Sequence, residues 1–219
     1  MREPALECDW YFDVLSPFAY LQWKTRKRFG DRISLKPVPV VFGAILDHWG
    51  QKGPAEIVPK RVHTYRACQW KAGKLGIPFR LPPAHPFNPL PALRLIVALG
   101  ATAAAVDAVF DAVFKDGRDT TDPVVLEAIG RSFGIDDALQ RIATQEVKQR
   151  LRANTDAAIA RGVFGVPTAA VDGELFWGED SSDMLIDFVR DRALFATPEM
   201  RRFQSLPTGI VRRQKLPPA

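Results

Sequence analysis

The sequence contains little cysteine and histidine and no long run of apolar residues. Its 219 residues include two cysteines, Cys8 and Cys68, and three histidines. Neither cysteine has a second cysteine or a histidine at metal-ligand spacing, so we predict no metal site and two buried free thiols. No apolar run approaches the ~20 residues that span a bilayer, and no apolar signal-peptide stretch follows Met1. We therefore expect a cytoplasmic protein with no membrane partner and no disulfide framework.

Dense clusters of one charge are also missing from most of the chain. The 30 basic and 25 acidic residues give a formal net charge of +5, and they are mixed along the sequence. A nucleic-acid surface needs a basic stripe interleaved with aromatic residues, which is absent. The charge is better explained by a solvated surface or by an attraction for anionic small molecules. With 47% hydrophobic and 25% charged residues, the composition is that of a soluble globular protein.

The chain begins with the pattern of a strand, a helix and a second strand. Residues 7–15 are rich in aromatic and apolar side chains, which favours a buried strand. Ser16 and Pro17 then form a typical helix start, with serine as the N-cap and proline at the first helical position. We predict a helix over 17–29 and a second strand over 33–42. Two prolines in the second strand predict an edge position or an irregular end.

The middle of the chain is predicted to be helical, and strands return near its end. Three- and four-residue apolar spacing predicts helices over 92–99, 103–114, 123–133 and 136–161. Residues 78–91 are too rich in proline for a helix and predict an extended loop. An Asp172-Gly173 turn predicts a hairpin of strands 168–171 and 174–177. An amphipathic pattern predicts a last helix over 182–195.

This order of elements predicts an α/β protein with a thioredoxin-like fold interrupted by a large α-helical insertion. Residues 1–43 and 162–197 would form the thioredoxin-like domain, and residues 44–161 the insertion. Residues 198–219, with several prolines and basic residues, predict an extended or poorly ordered C-terminal tail.

Three segments resemble the 2-hydroxychromene-2-carboxylate isomerases and the related kappa-class glutathione transferases, within the wider DsbA-like group. They are FDVLSPFAYL at 12–21, GVFGVPT at 162–168, and FWGED at 176–180 followed by Asp183-Met184-Leu185. The resemblance extends to about residue 196. It implies glutathione as the cofactor, an aromatic carboxylate as the substrate, and a homodimer. The implied reaction converts 2-hydroxychromene-2-carboxylate to trans-o-hydroxybenzylidenepyruvate in the catabolism of aromatic compounds.

Ser16 is the candidate catalytic residue. Backbone N–H groups at the start of a helix carry partial positive charge and stabilise anions, so a thiol bound beside this hydroxyl would ionise more easily. A thioredoxin-like redox protein would carry C-x-x-C here, but this chain has Ser16 and Ala19, which disfavours a thiol-disulfide oxidoreductase. The alternative is that Ser16 is only an N-cap.

The resemblance also implies a set of glutathione-binding residues. Val166 would precede a cis Pro167 and pair through its backbone with the cysteinyl part of glutathione. Asp180 would bind the γ-glutamyl ammonium, and Lys60 the glycine carboxylate. Gln51 stands where relatives commonly carry asparagine.

The last of these segments departs from the related proteins. Glu179 and Ser181 stand where an amide or serine, and then an arginine, are often found. We expect the Ser181 hydroxyl and the backbone N–H groups at the start of the last helix to bind the glutamyl carboxylate.

The substrate pocket is predicted to be divergent. His63 and Ala67 stand where we would expect tyrosine and aspartate, and His85 and Asn88 form a candidate polar pair facing the pocket. A lone histidine in such a loop can equally be structural. A kappa-type transferase and a non-catalytic thioredoxin-like binding protein remain alternatives to the isomerase.

Overall fold

A computed structural model describes residues 5–210 and contains a mixed four-stranded sheet. The strands are β1 Leu6–Phe12, β2 Ile33–Pro39, β3 Thr168–Val171 and β4 Glu174–Trp177, in the order β2-β1-β3-β4. β1 pairs with β2 in parallel and with β3 antiparallel, and β3 and β4 form the predicted hairpin. The edge position predicted for β2 is confirmed.

Helices make up most of the described chain. They are α1 Pro17–Lys24, α2 Phe42–His48, α3 Val58–Leu75, α4 Leu90–Ala98, α5 Ala103–Phe110, α6 Pro123–Ser132, α7 Ala138–Ala143, α8 Gln145–Ala160, α9 Ser182–Arg190 and α10 Pro198–Arg202. Because α2 to α8 lie between β2 and β3 in the sequence, the predicted helical block is confirmed, and its boundaries as a domain stay a prediction. Within residues 5–210, no helix is both long and apolar enough to cross a membrane.

Several helices end before the residues that the sequence predicts, most clearly at three places. The helix expected over 17–29 ends at Lys24 and continues as a 3-10 turn. The helix expected over 136–161 is divided at Thr144, whose backbone is extended and whose side chain accepts from Val147 N to cap α8. The last predicted helix ends at Arg190, because the following residue is extended. Polar capping residues inside an amphipathic pattern explain these divisions.

The C-terminal segment differs from the prediction over part of its length. Residues 198–205 form α10 and a 3-10 turn, with Thr197 accepting from Met200 N and Pro198 in the first turn. The expectation of an extended tail is therefore wrong for these residues. Residues 211–219 of the predicted tail lie outside the described residues.

Two apolar clusters lie on opposite faces of the sheet. Successive residues of a strand point to opposite faces, so Trp10 and Phe12 enter the cluster with α1 and α5, and Tyr11 enters the cluster with α2 and α8. Trp10 stacks on Phe12 with ring centroids 4.6 Å apart. Each fully buried large apolar side chain contributes about 1.5–3 kcal/mol. β1 is held on both faces, and this fixes the turn that follows it.

Both cysteines are free and buried, as predicted. Burial raises the pKa of the Cys8 thiol to about 11 and that of the Cys68 thiol to about 12. A protonated, buried thiol is a poor nucleophile. Neither cysteine can therefore replace the thiols of a C-x-x-C motif.

Candidate active site

Ser16 lies at the carboxyl end of β1, where the chain turns into α1. Its backbone is extended, and its Oγ accepts a hydrogen bond from Ala19 N at 3.2 Å, so the predicted N-cap is confirmed. Pro17 occupies the first turn without a free N–H. The cap uses a lone pair of the hydroxyl, and the hydroxyl proton makes only a long hydrogen bond of 3.5 Å to Val166 O, which a nearer acceptor can replace.

The second component of the site is the backbone of Val166. The Val166–Pro167 peptide bond is cis, as the resemblance implies. Ser16 Oγ lies 3.5 Å from Val166 O, although the two residues are 150 positions apart. Gly178 N donates to Pro167 O at 2.8 Å and ties the loop after β4 to the same place. Three segments distant in sequence therefore meet at the start of α1.

Asp13 is a buried carboxylate that sequence reasoning did not select. Its side chain is fully buried; Oδ1 accepts from Leu15 N at 2.9 Å and Oδ2 from Phe42 N at 2.8 Å. Burial raises the pKa of Asp13 to about 7, and the backbone N–H groups oppose that shift. The carboxylate joins the turn before Ser16 to the first residue of α2.

His85 also contacts the turn before Ser16. Its Nε2 lies 2.8 Å from Leu15 O, and its Nδ1 lies 2.7 Å from the Tyr65 hydroxyl on α3. A carbonyl oxygen can only accept, so Nε2 carries a proton; the Tyr65 hydroxyl, which lies 2.9 Å from His85 O as well, shares its one proton between that oxygen and Nδ1. Burial lowers the pKa of His85, which favours the neutral form. Both ring nitrogens are engaged, and of the two readings of His85 this geometry favours the structural one.

The remaining candidates from the insertion, Gln51, Lys60, His63 and Asn88, are exposed. Lys60 and His63 lie near the start of α3, and the structure gives neither side chain a partner within residues 5–210. Gln51 is exposed after α2, and Trp49 Nε1 nearby donates to Val163 O at 2.9 Å. Asn88 Oδ1 accepts from Leu90 N at 3.1 Å, at the start of α4. Their contacts with a ligand stay predictions.

The loop from Gly178 to Ser182 presents one free carboxylate. Asp180 is exposed and has no protein partner in the described part of the chain. Gly178 has a φ of 93°, and the Asp180 carboxylate folds back over it. A Cβ at position 178 would collide with that carboxylate. Ser181 Oγ donates to Gly178 O at 2.8 Å, so its proton is already used. Glu179 is buried and forms ion pairs with Lys71 and Arg28.

An exposed aromatic pair lies beside Val166, and sequence reasoning assigned it no role. Phe164 and Trp177 are 37% and 53% exposed, and their rings meet edge to face at 5.2 Å. The Trp177 indole covers Gly165 so closely that a Cβ there would collide with it. The pair forms an apolar surface next to the Ser16–Val166 contact, suited to an aromatic ligand.

Known proteins match the sequence and the fold of this chain. The family model of the DSBA-like thioredoxin domain matches residues 7–190. The 2-hydroxychromene-2-carboxylate isomerase of Sphingobium xenophagum is 32% identical over 193 residues, covering 84% of this chain and 97% of that protein. Glutathione S-transferase kappa 1 of Homo sapiens is 25% identical over 209 residues, covering 86% of this chain and 92% of the human protein. A solved structure of a 2-hydroxychromene-2-carboxylate isomerase superposes with a TM-score of 0.76 at 25% identity, over 89% of this chain and 99% of that one.

Proposed function

Because the chain belongs to the family of DSBA-like thioredoxin domains, together with 2-hydroxychromene-2-carboxylate isomerases and kappa-class glutathione transferases, we propose that it is a glutathione-dependent isomerase. The substrate is 2-hydroxychromene-2-carboxylate and the product trans-o-hydroxybenzylidenepyruvate. The observation that carries the proposal is the Ser16 hydroxyl, 3.5 Å from Val166 O at the start of α1. A site with this geometry and no thiol of its own is suited to a thiol that arrives with a cofactor.

Two exposed charged side chains, Asp180 and Lys60, match the charges of a tripeptide thiol. Glutathione carries an ammonium and a carboxylate at its γ-glutamyl end and a carboxylate at its glycine end. Asp180 and Lys60 are exposed and have no protein partner within residues 5–210, so they can bind the ammonium and the glycine carboxylate. The proton of Ser181 is bonded to Gly178 O. We therefore assign the glutamyl carboxylate to backbone N–H groups at the start of α9.

Ser16 stabilises the thiolate at two points of the proposed mechanism. Bound glutathione supplies a thiolate that adds reversibly to the conjugated carbon of the opened substrate, so that rotation occurs about a single bond. Ser16 would donate a hydrogen bond to the sulfur anion before addition and after release and would keep its own proton, and Ala19 N holds the hydroxyl oxygen in place. The aromatic surface of Phe164 and Trp177 holds the apolar part of the substrate, and the positive charge of Arg61 favours its carboxylate.

Replacement of the hydroxyl tests this role directly. We expect Ser16→Ala to raise the pKa of the bound glutathione thiol and to lower kcat about 100-fold or more. The pKa is measured from the ultraviolet absorbance of the thiolate as the pH is varied. Thr102→Ala is a matched control, because Thr102 caps α5 by accepting from Ala105 N at the same 3.2 Å. The control should lose stability but keep the thiol acidity. An unchanged thiol pKa and turnover in Ser16→Ala would leave Ser16 as a helix cap only.

A kappa-type glutathione transferase is the second candidate function. It is supported by the 25% identity to the human kappa 1 enzyme over 209 residues, and it would use the same Ser16, Val166 and Asp180. The two reactions differ in their products. An isomerase consumes no glutathione, whereas a transferase accumulates one adduct for each substrate molecule converted. Chromatography of the reaction with the hydroxychromene substrate separates the two.

A further inference from the structure

A buried carboxylate joins the helical insertion to the loop that carries Asp180. Glu179 immediately precedes Asp180, and its side chain is only 3% exposed. It forms ion pairs with Lys71 on α3 and with Arg28 in the 3-10 turn after α1. The carboxylate is thus held by cations from two different elements, one of which belongs to the insertion.

The loop of Glu179 is rigidly bound on its other side. Gln22 Nε2 donates to Gly178 O at 3.2 Å and to Ser182 Oγ at 3.0 Å, and Ser182 Oγ donates to Glu179 O at 2.6 Å. Gln22 is in turn fixed by Trp10 Nε1, which donates to its Oε1 at 2.7 Å. The loop cannot shift without breaking buried hydrogen bonds to α1. Glu179 is therefore held in place and fixes the position of its partners, Lys71 and Arg28.

Helix α3 has few other fixed points. Only Cys68 and Ala72 of its 18 residues are buried, although Tyr65 also bonds His85. Lys71 lies next to Ala72, so its ion pair with Glu179 anchors the C-terminal part of the helix. Lys60 lies eleven residues before Lys71, about 16 Å along the helix axis at 1.5 Å per residue. A small tilt of α3 about Lys71 would therefore displace Lys60 further than the residues close to Lys71.

We propose that Glu179 is a positioning residue for glutathione: by binding Lys71 and Arg28 it fixes the separation between Asp180 and Lys60. This inference rests on the proposed function, in which those two side chains bind opposite ends of the tripeptide. Glu179 does not touch the thiol. It governs the affinity for glutathione, and the chemistry at Ser16 proceeds without it once glutathione is bound.

The preference for glutathione over γ-glutamylcysteine measures this separation. The dipeptide has the glutamyl end and the thiol but lacks the glycine carboxylate, so it cannot bridge Asp180 and Lys60. We expect Glu179→Gln to reduce the preference of the wild-type protein for glutathione about tenfold, measured as the ratio of the two dissociation constants. The value of kcat at saturating glutathione should stay close to that of the wild type. A purely structural role would weaken both ligands equally.

Two further variants make the test decisive. Lys71→Gln removes the cation on α3 and leaves Glu179 beside a polar amide and Arg28. It should reduce the preference for glutathione in the same way, even if Glu179→Gln folds poorly. Asp183→Asn is the matched control, because Asp183 is 79% exposed and bonds the same Arg28 at 2.5 Å. It should keep the wild-type preference.

The possible failures are distinguishable. If the wild-type protein binds no glutathione at millimolar concentration, both the proposed function and this inference are wrong. If it binds glutathione in preference to the dipeptide, and Glu179→Gln and Lys71→Gln keep that preference, the positioning role alone is wrong.

Discussion

The buried carboxylate of Asp13 makes the turn before Ser16 sensitive to pH. Burial raises the pKa of Asp13 from 3.8 to about 7 in the folded protein, so between these values the folded state holds a proton that the unfolded state has released. The free energy of unfolding therefore falls as the pH rises from about 4 to about 7, by at most about 4 kcal/mol, and this contribution is constant above that range. In the ionised form, the carboxylate is stabilised by the N–H groups of Leu15 and Phe42.

Asp13→Asn isolates this contribution. The amide has one oxygen acceptor for two N–H groups, so we expect a less stable protein whose melting temperature changes less between about pH 5 and about pH 7. Thermal denaturation of both proteins across this range measures the difference. Parallel curves for the wild type and the variant would mean that Asp13 does not titrate in this window.

Burial is also the reason why sequence reasoning found some residues of this site and missed others. Ser16 has a local signal, a serine-proline helix start, and the cis Pro167 was implied by the family resemblance; both features are observed. Asp13 and Glu179 have no such signal, because an acidic residue in an unfolded sequence gives no indication that distant elements will cover it. His85 could be selected by type, but its bond to Leu15 O depends on a contact across 70 residues.

At the scale of elements, the order was predictable and the ends of the helices were not. The sheet strands, the hairpin turn and the helical block follow from local periodicity. The division at Thr144 and the ends of α1 and α9 depend on capping bonds that compete with helix continuation. Periodicity continues through such a cap, because the apolar faces on both sides of it pack on the same core.

The loop before β3 and the strand β4 are in close contact at Gly165. A Cβ at this position would collide with the Trp177 indole, so Gly165→Ala should displace the indole and disrupt the aromatic surface beside Val166. We expect a shift of the tryptophan emission and a higher KM for the aromatic substrate. Gly73→Ala is the control, since a Cβ there meets nothing within 4 Å and a helical alanine adds about 0.5–1 kcal/mol of stability. An unchanged KM in Gly165→Ala would exclude this surface from substrate binding.

At the scale of the whole molecule, the proposed site draws on both parts of the chain. The sheet and α1 supply Ser16, Val166 and Asp180, and α3 of the insertion supplies Lys60. The predicted domain boundaries, the homodimer and the cytoplasmic location stay predictions. Sedimentation of the purified protein would test the homodimer.

This division of the site predicts how salt affects the reaction. Lys60 and Asp180 are exposed, and the screening length falls from about 10 Å at 0.1 M salt to about 3 Å at 1 M. We therefore expect the KM for glutathione to rise severalfold between about 0.05 M and about 0.5 M sodium chloride. Ser16 is only 8% exposed, so kcat at saturating glutathione should change little.

Lys60→Met separates screening of the site from a general effect of salt on the fold. The variant should have a higher KM for glutathione at low salt and a weaker dependence on salt, because one of the two charged contacts is already gone. The unfolding temperature, measured over the same salt range, should be similar in the two proteins since Lys60 has no partner within residues 5–210. If the KM of the variant rises with salt as steeply as that of the wild type, Lys60 does not bind the glycine carboxylate, and the insertion must recognise glutathione through other groups.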